Sequence, residues 1–259
     1  MRPPFRPAAK QHRTLHQPAR GLQGSPWRGI ESLADAEREN DRRVERLHSR
    51  APVLAQVIAR CAHDEQREQT VCAVCARAQR LRLKKEITRV ASDYVGPHEV
   101  VTIYLAPFDA AHLHKADIGQ LHDQLRQRLN RAGFRGAILI GGTEVAWKNG
   151  RWLLHVHLLA IGVDKADWSK LRSRWPRVGV TIPIKVDQLR HTERQLPYLQ
   201  KFATYHRPGA RGLSGPGNPY PLPPAQLAEL ITWWSQYRFA DFLFAYGARR
   251  RGTHIVVDG

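Results

Sequence analysis

Acidic residues are scarce in this 259-residue chain: 23 Asp and Glu stand against 41 Lys and Arg, for a formal charge of +18. Such an imbalance suits a polyanionic partner, because phosphate neutralisation dominates nucleic-acid affinity. A generic basic surface is the competing reading. Long apolar runs are also missing. No stretch approaches the roughly eighteen apolar residues of a membrane span, which argues against a membrane protein. Met1 to Arg28 is basic, carries Pro3, Pro4, Pro7, Pro18 and Pro26, and lacks an apolar core. It reads as a disordered arm rather than a signal peptide, so a cytoplasmic location is expected. Cysteine is confined to Cys61, Cys72 and Cys75. In a cytosolic chain that clustering favours metal over disulfides.

Past the arm, residues 29–95 read as a helical module. Leu33, Val44, Leu47, Val53, Leu54, Val57 and Ile58 fall at helical spacing amid charge, with Pro52 as a break. The cysteines follow, and then a basic run of Arg77, Arg80, Arg82, Lys84 and Lys85 that reads as a helix offered to phosphates. Residues 96–206 have a different texture. Strands are expected at 99–106, 136–147, 151–161 and 178–186. Between them lie a helix striped by Ile118, Leu121, Leu125 and Leu129 and stopped by Gly133, and a shorter one over 164–175. Pro183 places the fourth strand at an edge. This order is βαββαβ, so the fold class is α+β with a ferredoxin-like antiparallel sheet. A helix over 188–206, a turn-forming loop over 207–224, and a C-terminal helix over 225–246 with a basic tail to 259 complete the expectation. Trp233 and Trp234 read as packing residues of that last helix.

The informative stretch is the pair of strands around Lys148-Asn149-Gly150. Asn-Gly between two apolar runs is a strong hairpin signal. With Asn149 and Gly150 as the turn, Trp147 pairs with Trp152, Glu144 with His155, and Gly142 with His157. Directly opposed residues share a face, as do residues two apart on one strand. One carboxylate and two imidazoles are thereby gathered, and a one-residue slip would scatter them. Gly142 is expected to leave open space above the sheet. Trp152, Leu154, Val156, Leu158 and Ala160 point the other way, under the helices. Two imidazoles and a carboxylate suit a divalent cation, Mg2+ or Mn2+, with positions left for a substrate oxygen. Two histidines merely satisfied within a sheet are the alternative.

The run Trp152-Leu153-Leu154-His155-Val156-His157-Leu158-Leu159 resembles the His-hydrophobe-His signature of HUH endonucleases, which include rolling-circle replication initiators, relaxases and single-tyrosine transposases. Glu144 is similar to the third ligand of the replication initiators, and Val101-Thr102-Ile103-Tyr104-Leu105 resembles their first conserved strand. Tyr198-Leu199-Gln200-Lys201 resembles their Tyr-x-x-Lys motif, and histidines before tyrosine is the initiator order. The resemblance spans residues 99–206. It implies a metal-dependent DNA nickase and strand transferase acting at a plasmid-type origin, on single-stranded or supercoiled DNA. Tyr198 would be the nucleophile, leaving a 5′-phosphotyrosyl link and a free 3′-hydroxyl. Lys201 would orient the phosphate or stabilise the phenolate. Some initiators place a glutamate one helical turn before the tyrosine to end the reaction; here that position is Arg194, with Glu193 beside it. Tyr205 is a possible second nucleophile or a packing residue. No helicase P-loop is evident, so host helicase and polymerase are expected partners.

Cys72-x-x-Cys75 has metal-knuckle spacing, with Cys61 eleven residues earlier. A structural zinc is expected there, with His63 as the nearest fourth ligand and His48 as a second option. A redox pair and buried free thiols are the competitors. Tyr104, Trp147 and Trp152 are candidates for stacking single-stranded bases, with core packing as the alternative. Two further readings compete for the whole chain: a non-catalytic nucleic-acid-binding protein on the same fold, and a metal-dependent oxygenase, which would need a β-rich double sheet.

Overall fold

Apolar runs rich in β-branched residues build the central strands of a five-stranded antiparallel sheet, buried on both faces, and apolar residues recurring every three or four build the helices around it. The computed structural model describes residues 30–63, 69–176, 178–202, 204–206, 220–252 and 254–258, without the side chains of residues 62, 63, 193, 194, 198, 205, 206 and 220. The expected basic arm and most of the expected 207–224 loop lie outside the described residues. The helices are α1 (Leu33–Leu47), α2 (Pro52–His63), α3 (Ala73–Asp93), α4 (Ile118–Ala132), α5 (Lys165–Ser173), α6 (Thr192–Gln195) and α7 (Pro224–Trp234). The strands are β1 (His98–Asp109), β2 (Ile138–Lys148), β3 (Arg151–Ile161), β4 (Ile184–Gln188), β5 (Tyr205–His206), β6 (Tyr220–Pro221), β7 (Leu243–Tyr246), β8 (Ala248–Arg251) and β9 (His254–Val257).

Local chemistry sets several boundaries. Ser32 and Asp35 form a reciprocal capping box at the start of α1. Pro52 opens α2, where its missing N–H costs nothing. Gly133 ends α4 at φ 96°, in the left-handed region that glycine enters without strain.

The main sheet runs β4-β1-β3-β2-β7, and every pairing is antiparallel. On one surface Val156, Leu158 and Ala160 pack with Leu125 and Leu129 of α4 and Trp168 and Leu171 of α5. On the other, Ile138, Ile140, Leu159 and Ile161 meet Ile87 and Val90 of α3, Leu196 and Leu199, and Ala248 and Ile255 of the β8–β9 hairpin. A third apolar cluster joins α1, α2 and the start of α3 to α7 through Trp233 and Trp234, and reaches the hairpin end of the sheet at Val145 and Trp152. The result is an open α+β sheet flanked by N-terminal helices and a C-terminal helix.

Three expectations are corrected. The expected helix over 188–206 is broken into the four-residue α6 and a 3-10 turn, Leu196–Leu199, after which Gln200 is extended at φ −155°. Pro197 explains this, since it removes a helical donor and its ring clashes with a preceding carbonyl. The expected helix over 225–246 stops at Trp234, and Leu243–Tyr246 instead pairs with β2. The edge of β2 would otherwise expose a row of unpaired backbone groups, and that demand outweighs helical propensity. The fourth strand begins at Ile184 rather than 178. Pro183 precedes it, and its carbonyl accepts from Tyr104 N at 2.9 Å. β4 pairs with β1 alone and so lies at an edge, as Pro183 suggested.

Candidate metal centres

Asn149 and Gly150 both take positive φ, 52° and 77°, as a tight two-residue hairpin turn requires. The register that follows pairs Trp147 with Trp152, Glu144 with His155 and Gly142 with His157. Ligand atoms of Glu144, His155 and His157 lie within 4.8 Å of one another. His155 Nε2 is 3.7 Å and His157 Nε2 3.5 Å from Glu144 Oε2. Donor atoms about 2.1 Å from one ion stand about 3.0 Å apart at octahedral and about 3.4 Å apart at tetrahedral angles, so a small inward movement of these side chains gives shared coordination. Glu144 Oε1 is buried and has no hydrogen-bond partner. A buried carboxylate oxygen left without a donor is costly, and a cation would satisfy it. The residues therefore fit a divalent ion.

The imidazoles are aimed from behind. His157 Nδ1 is 2.9 Å from Thr102 Oγ1, and His155 Nδ1 is 3.1 Å from the Leu153 carbonyl. Each ring thus has its Nδ1 engaged and its Nε2 turned to the carboxylate, the arrangement that orients metal-binding histidines. Tyr104 flanks His155 with ring centroids 5.3 Å apart. Burial pushes His157 down to about 4, which overcomes the attraction of the Glu144 carboxylate. Burial pushes Glu144 up, but His157, His155 and Lys201 together hold it below the usual carboxylate range. A neutral imidazole beside an ionised carboxylate is the form that binds a cation.

Space above Gly142 is filled rather than open, which corrects the sequence reading. A Cβ there would lie 2.7 Å from Gln200 Cβ and 2.8 Å from the Leu199 carbonyl oxygen. The absent side chain admits the segment that leaves the 3-10 turn, so the backbone carrying Tyr198 and Lys201 is seated beside the position paired with His157. Lys201 is half-buried, close enough for its charge to act on both Glu144 and His157. It follows the 3-10 turn, so the helical one-turn spacing expected from Tyr198 is not how it arrives. The side chains of Tyr198 and Tyr205 lie outside the described residues.

Sequence reasoning missed Thr102 as the partner of His157. It sits directly across from His157 in the β1–β3 register, and Tyr104 directly across from His155. Alternation alone put both on one face, but no tight turn links β1 to β3 to set their register. Trp152 is fully buried, its indole donating to Glu229 at 2.8 Å, so it is a core residue rather than a base platform. Trp147 packs edge-on against it at 4.7 Å.

Cys61, Cys72 and Cys75 form a second cluster, all buried, with ligand atoms again within 4.8 Å. Cys61 and Cys75 sulfurs are 3.4 Å apart. Cys72 caps α3 and accepts from Asn40 Nδ2 at 3.2 Å and Cys75 N at 3.5 Å. Its thiol is held well below the usual range by the Cys61 and Cys75 thiols, while those two are pushed up, Cys61 to about 12. His48 is exposed at the C-cap of α1 and is not among the converging ligands. The His63 side chain lies outside the described residues.

The basic run is not one solvent-facing stripe, a second correction. Arg80 and Lys84 are buried at 9% and 5% exposure. Arg80 pairs with Glu31 and donates to the Pro197 carbonyl, so it braces the 3-10 turn instead of facing phosphate. Arg77 donates to the Glu31 carbonyl at 2.8 Å; Arg77 and Arg82 are half-buried, and Lys85 is exposed.

No family model, curated protein or solved structure matches this chain. No helix among the described residues is long and apolar enough to cross a membrane. What the fold and sites define is an α+β protein with two clusters of ligand-type side chains that could each hold a metal ion, one on a sheet and one at a helix N-terminus.

Proposed function

We propose that the chain is a metal-assisted DNA nickase and strand transferase of the HUH type, initiating rolling-circle replication. The observation that carries this reading is the joint placement of Glu144, His155 and His157 with the Leu199–Gln200 backbone seated on Gly142. The strand order β4-β1-β3-β2, with α4 and α5 packed on one surface, supports a ferredoxin-like core.

Mg2+ or Mn2+ held by Glu144, His155 and His157 would polarise the scissile phosphate and offset its developing charge. Tyr198 is the nucleophile in this scheme. Its phenolic oxygen bonds to phosphorus, the P–O3′ bond breaks, and the proton lost by the phenol is matched by the one the 3′-oxygen gains. A 5′-phosphotyrosyl link and a 3′-hydroxyl remain, and attack by a 3′-hydroxyl on that link rejoins a strand. Lys201 favours the phenolate and the incoming phosphate by charge. The cysteine cluster holds a structural zinc in the same reading. The substrate is origin DNA, single-stranded or supercoiled, with helicase and polymerase supplied by the host.

The test uses a 5′-variable pool of labelled single-stranded oligonucleotides with Mg2+ or Mn2+. A denaturation-resistant protein–DNA adduct is expected from the native chain and not from Tyr198→Phe. An adduct that survives the substitution moves the nucleophile to Tyr205, and no adduct from the native chain under either metal removes the nickase assignment.

A further inference from the structure

The C-terminal hairpin has two unlike faces. Pairing of Arg249 with Val256 and Arg251 with His254 puts Arg249, Arg251 and His254 on one side. Ala248, Arg250, Ile255 and Val257 take the other, where Ala248 and Ile255 are buried against Ile87 and Val90 of α3. Polar bonds fix the seat: Ile255 N donates to Glu86 at 3.1 Å, and Arg89 donates to the Ile255 carbonyl at 2.5 Å. The outer face is solvent-borne, with the Arg249 side chain 72% and the His254 side chain 68% exposed. A groove of about 730 Å³ runs between this ribbon and the end of α3, with Arg89 on one wall and Arg251 and His254 on the other.

Acids do not cancel this patch. Glu86, beneath the ribbon, pairs with Arg89 at 3.3 Å and meets His254 at 3.3 Å, Asp93 also pairs with Arg89 at 3.1 Å, and Asp258 pairs with Arg249 at 3.2 Å, which leaves Arg250, Arg251 and Lys85 in excess of these acids. Three consecutive arginines, with exposed Lys85 one turn before Arg89 on α3, leave an excess of positive charge. A two-stranded ribbon is of a size the major groove admits, and arginine is the side chain suited to paired bonds with guanine edges and phosphates. Of aromatic rings the outer face carries only the His254 imidazole, with Tyr94 at the far end of the groove, so no row of rings runs along it for successive single-stranded bases to stack on. Nor does it offer a large apolar residue to enter a lipid surface; half-buried Val256 is its one aliphatic side chain.

We propose that the β8–β9 ribbon binds duplex DNA along the major groove, with Arg249 and Arg251 on the phosphates that flank it. This rests on the nicking reading, and gives that enzyme a duplex anchor separate from the site that handles the opened strand.

The test is fluorescence anisotropy of the full chain with a labelled duplex of mixed sequence across a salt series, beside the single-strand adduct assay. Arg249→Ala with Arg251→Ala is expected to lower duplex affinity at least about tenfold and to flatten the log K against log salt slope by about two, one per lost phosphate-type contact. Melting temperature and adduct yield are expected to stay at the native level. Arg249→Lys with Arg251→Lys is expected to recover most of the non-specific affinity, since charge is kept. Unchanged duplex affinity and slope in the alanine variant overturn the proposal, as does a native chain that binds phosphatidylserine vesicles but no duplex. A native chain that binds duplex through these arginines but forms no adduct removes the nickase reading alone.

Discussion

The cluster on the sheet and the cluster at the foot of α3 each bring three ligand-type side chains together, yet they differ in how open they are. Glu144, His155 and His157 come from two neighbouring strands, and the His157 side chain keeps 23% exposure. One carboxylate oxygen is left without a partner, and a backbone segment with a tyrosine and a lysine is seated alongside. The cysteines come from the end of α2 and the start of α3 and are all buried; Cys72 accepts from Asn40 and the Cys75 backbone, and Cys61 and Cys75 meet through their sulfurs. An ion with an open side is one a substrate oxygen can reach; an enclosed ion holds chain segments together. The two are also linked. Arg43 donates to the Val71 carbonyl beside the thiols at 2.7 Å and to the Phe202 carbonyl beside Lys201 at 3.1 Å. The thiol cluster therefore stands behind the segment that serves the sheet cluster.

That contrast predicts opposite losses, and the largest is at the thiols. Metal binding to a site of this kind is coupled to folding, with apparent free energies on the order of 10 kcal/mol in small zinc modules. Cys72→Ala is expected to abolish zinc binding and to cost several kcal/mol of stability, melting α1 to α3 away from the sheet. Zinc content by a chromophoric chelator and thermal unfolding by circular dichroism check it. A variant that loses no stability would place the thiols among ordinary buried cysteines. Glu144 substitutions, by contrast, should remove activity while leaving the fold standing.

Next in size is Gly142→Ala, which sharpens the claim that the sheet cluster is completed by a docked backbone. The added methyl would collide with Gln200 and the Leu199 carbonyl, so the segment must shift. Misplacement of a reacting group by about 1 Å costs about 100-fold in rate. Adduct formation should fall by that order while Mn2+ affinity holds. If rate and affinity fall together, the segment belongs to the metal site rather than to delivery of the nucleophile.

The hairpin was readable because its chemistry is local. Asn149-Gly150 sets the turn, the turn sets the register, and the register places Glu144, His155 and His157 with nothing else known. Residues 118–132 were readable for the same reason, through their stripe and the glycine stop. What failed depends on distant partners. Leu243–Tyr246 is drawn into the sheet by the open edge of β2, about one hundred residues earlier in the chain. Arg80 looks like a surface cation until Glu31 and Pro197 close over it. Residues 188–206 carry their own warning in Pro197, and the helical spacing from Tyr198 to Lys201 had to yield to it.

A third buried imidazole tests what the triad's neighbours contribute. His122 reaches Thr143 on the opposite surface of β2 at 2.5 Å, and only the charge of Asp123 acts against burial of its ring. Burial, and then the charge of Arg126, push it down to about 4. A depressed folded value means that the unfolded chain takes up the proton first. The stability tied to a neutral His122 is thus complete above about pH 6.5 and is lost as pH falls towards 4. About 2 kcal/mol should disappear between pH 7 and pH 5. Urea unfolding at the two pH values should show that loss in the native chain and less of it in His122→Gln. An equal loss in both would assign the acid sensitivity to other groups.

The smallest effect concerns a single hydroxyl. A metal on His157 Nε2 would leave the proton of the neutral ring on Nδ1, where Thr102 Oγ1 at 2.9 Å accepts it. Thr102→Val keeps the shape and the β-branched strand preference but removes the acceptor, so the ring loses its orienting bond while β1 stays paired. Groups that hold a ligand in this way typically contribute 10- to 100-fold in metal affinity, and a half-buried threonine at one imidazole should fall near the lower figure. Titration of Mn2+ by electron paramagnetic resonance should show affinity down about tenfold, with an unchanged melting temperature for the metal-free chain. Because the cysteines do not touch Thr102, zinc content should not move. A fall in zinc content together with Mn2+ affinity would mean that the sheet and thiol clusters are one cooperative unit, and the division of labour between them would fail.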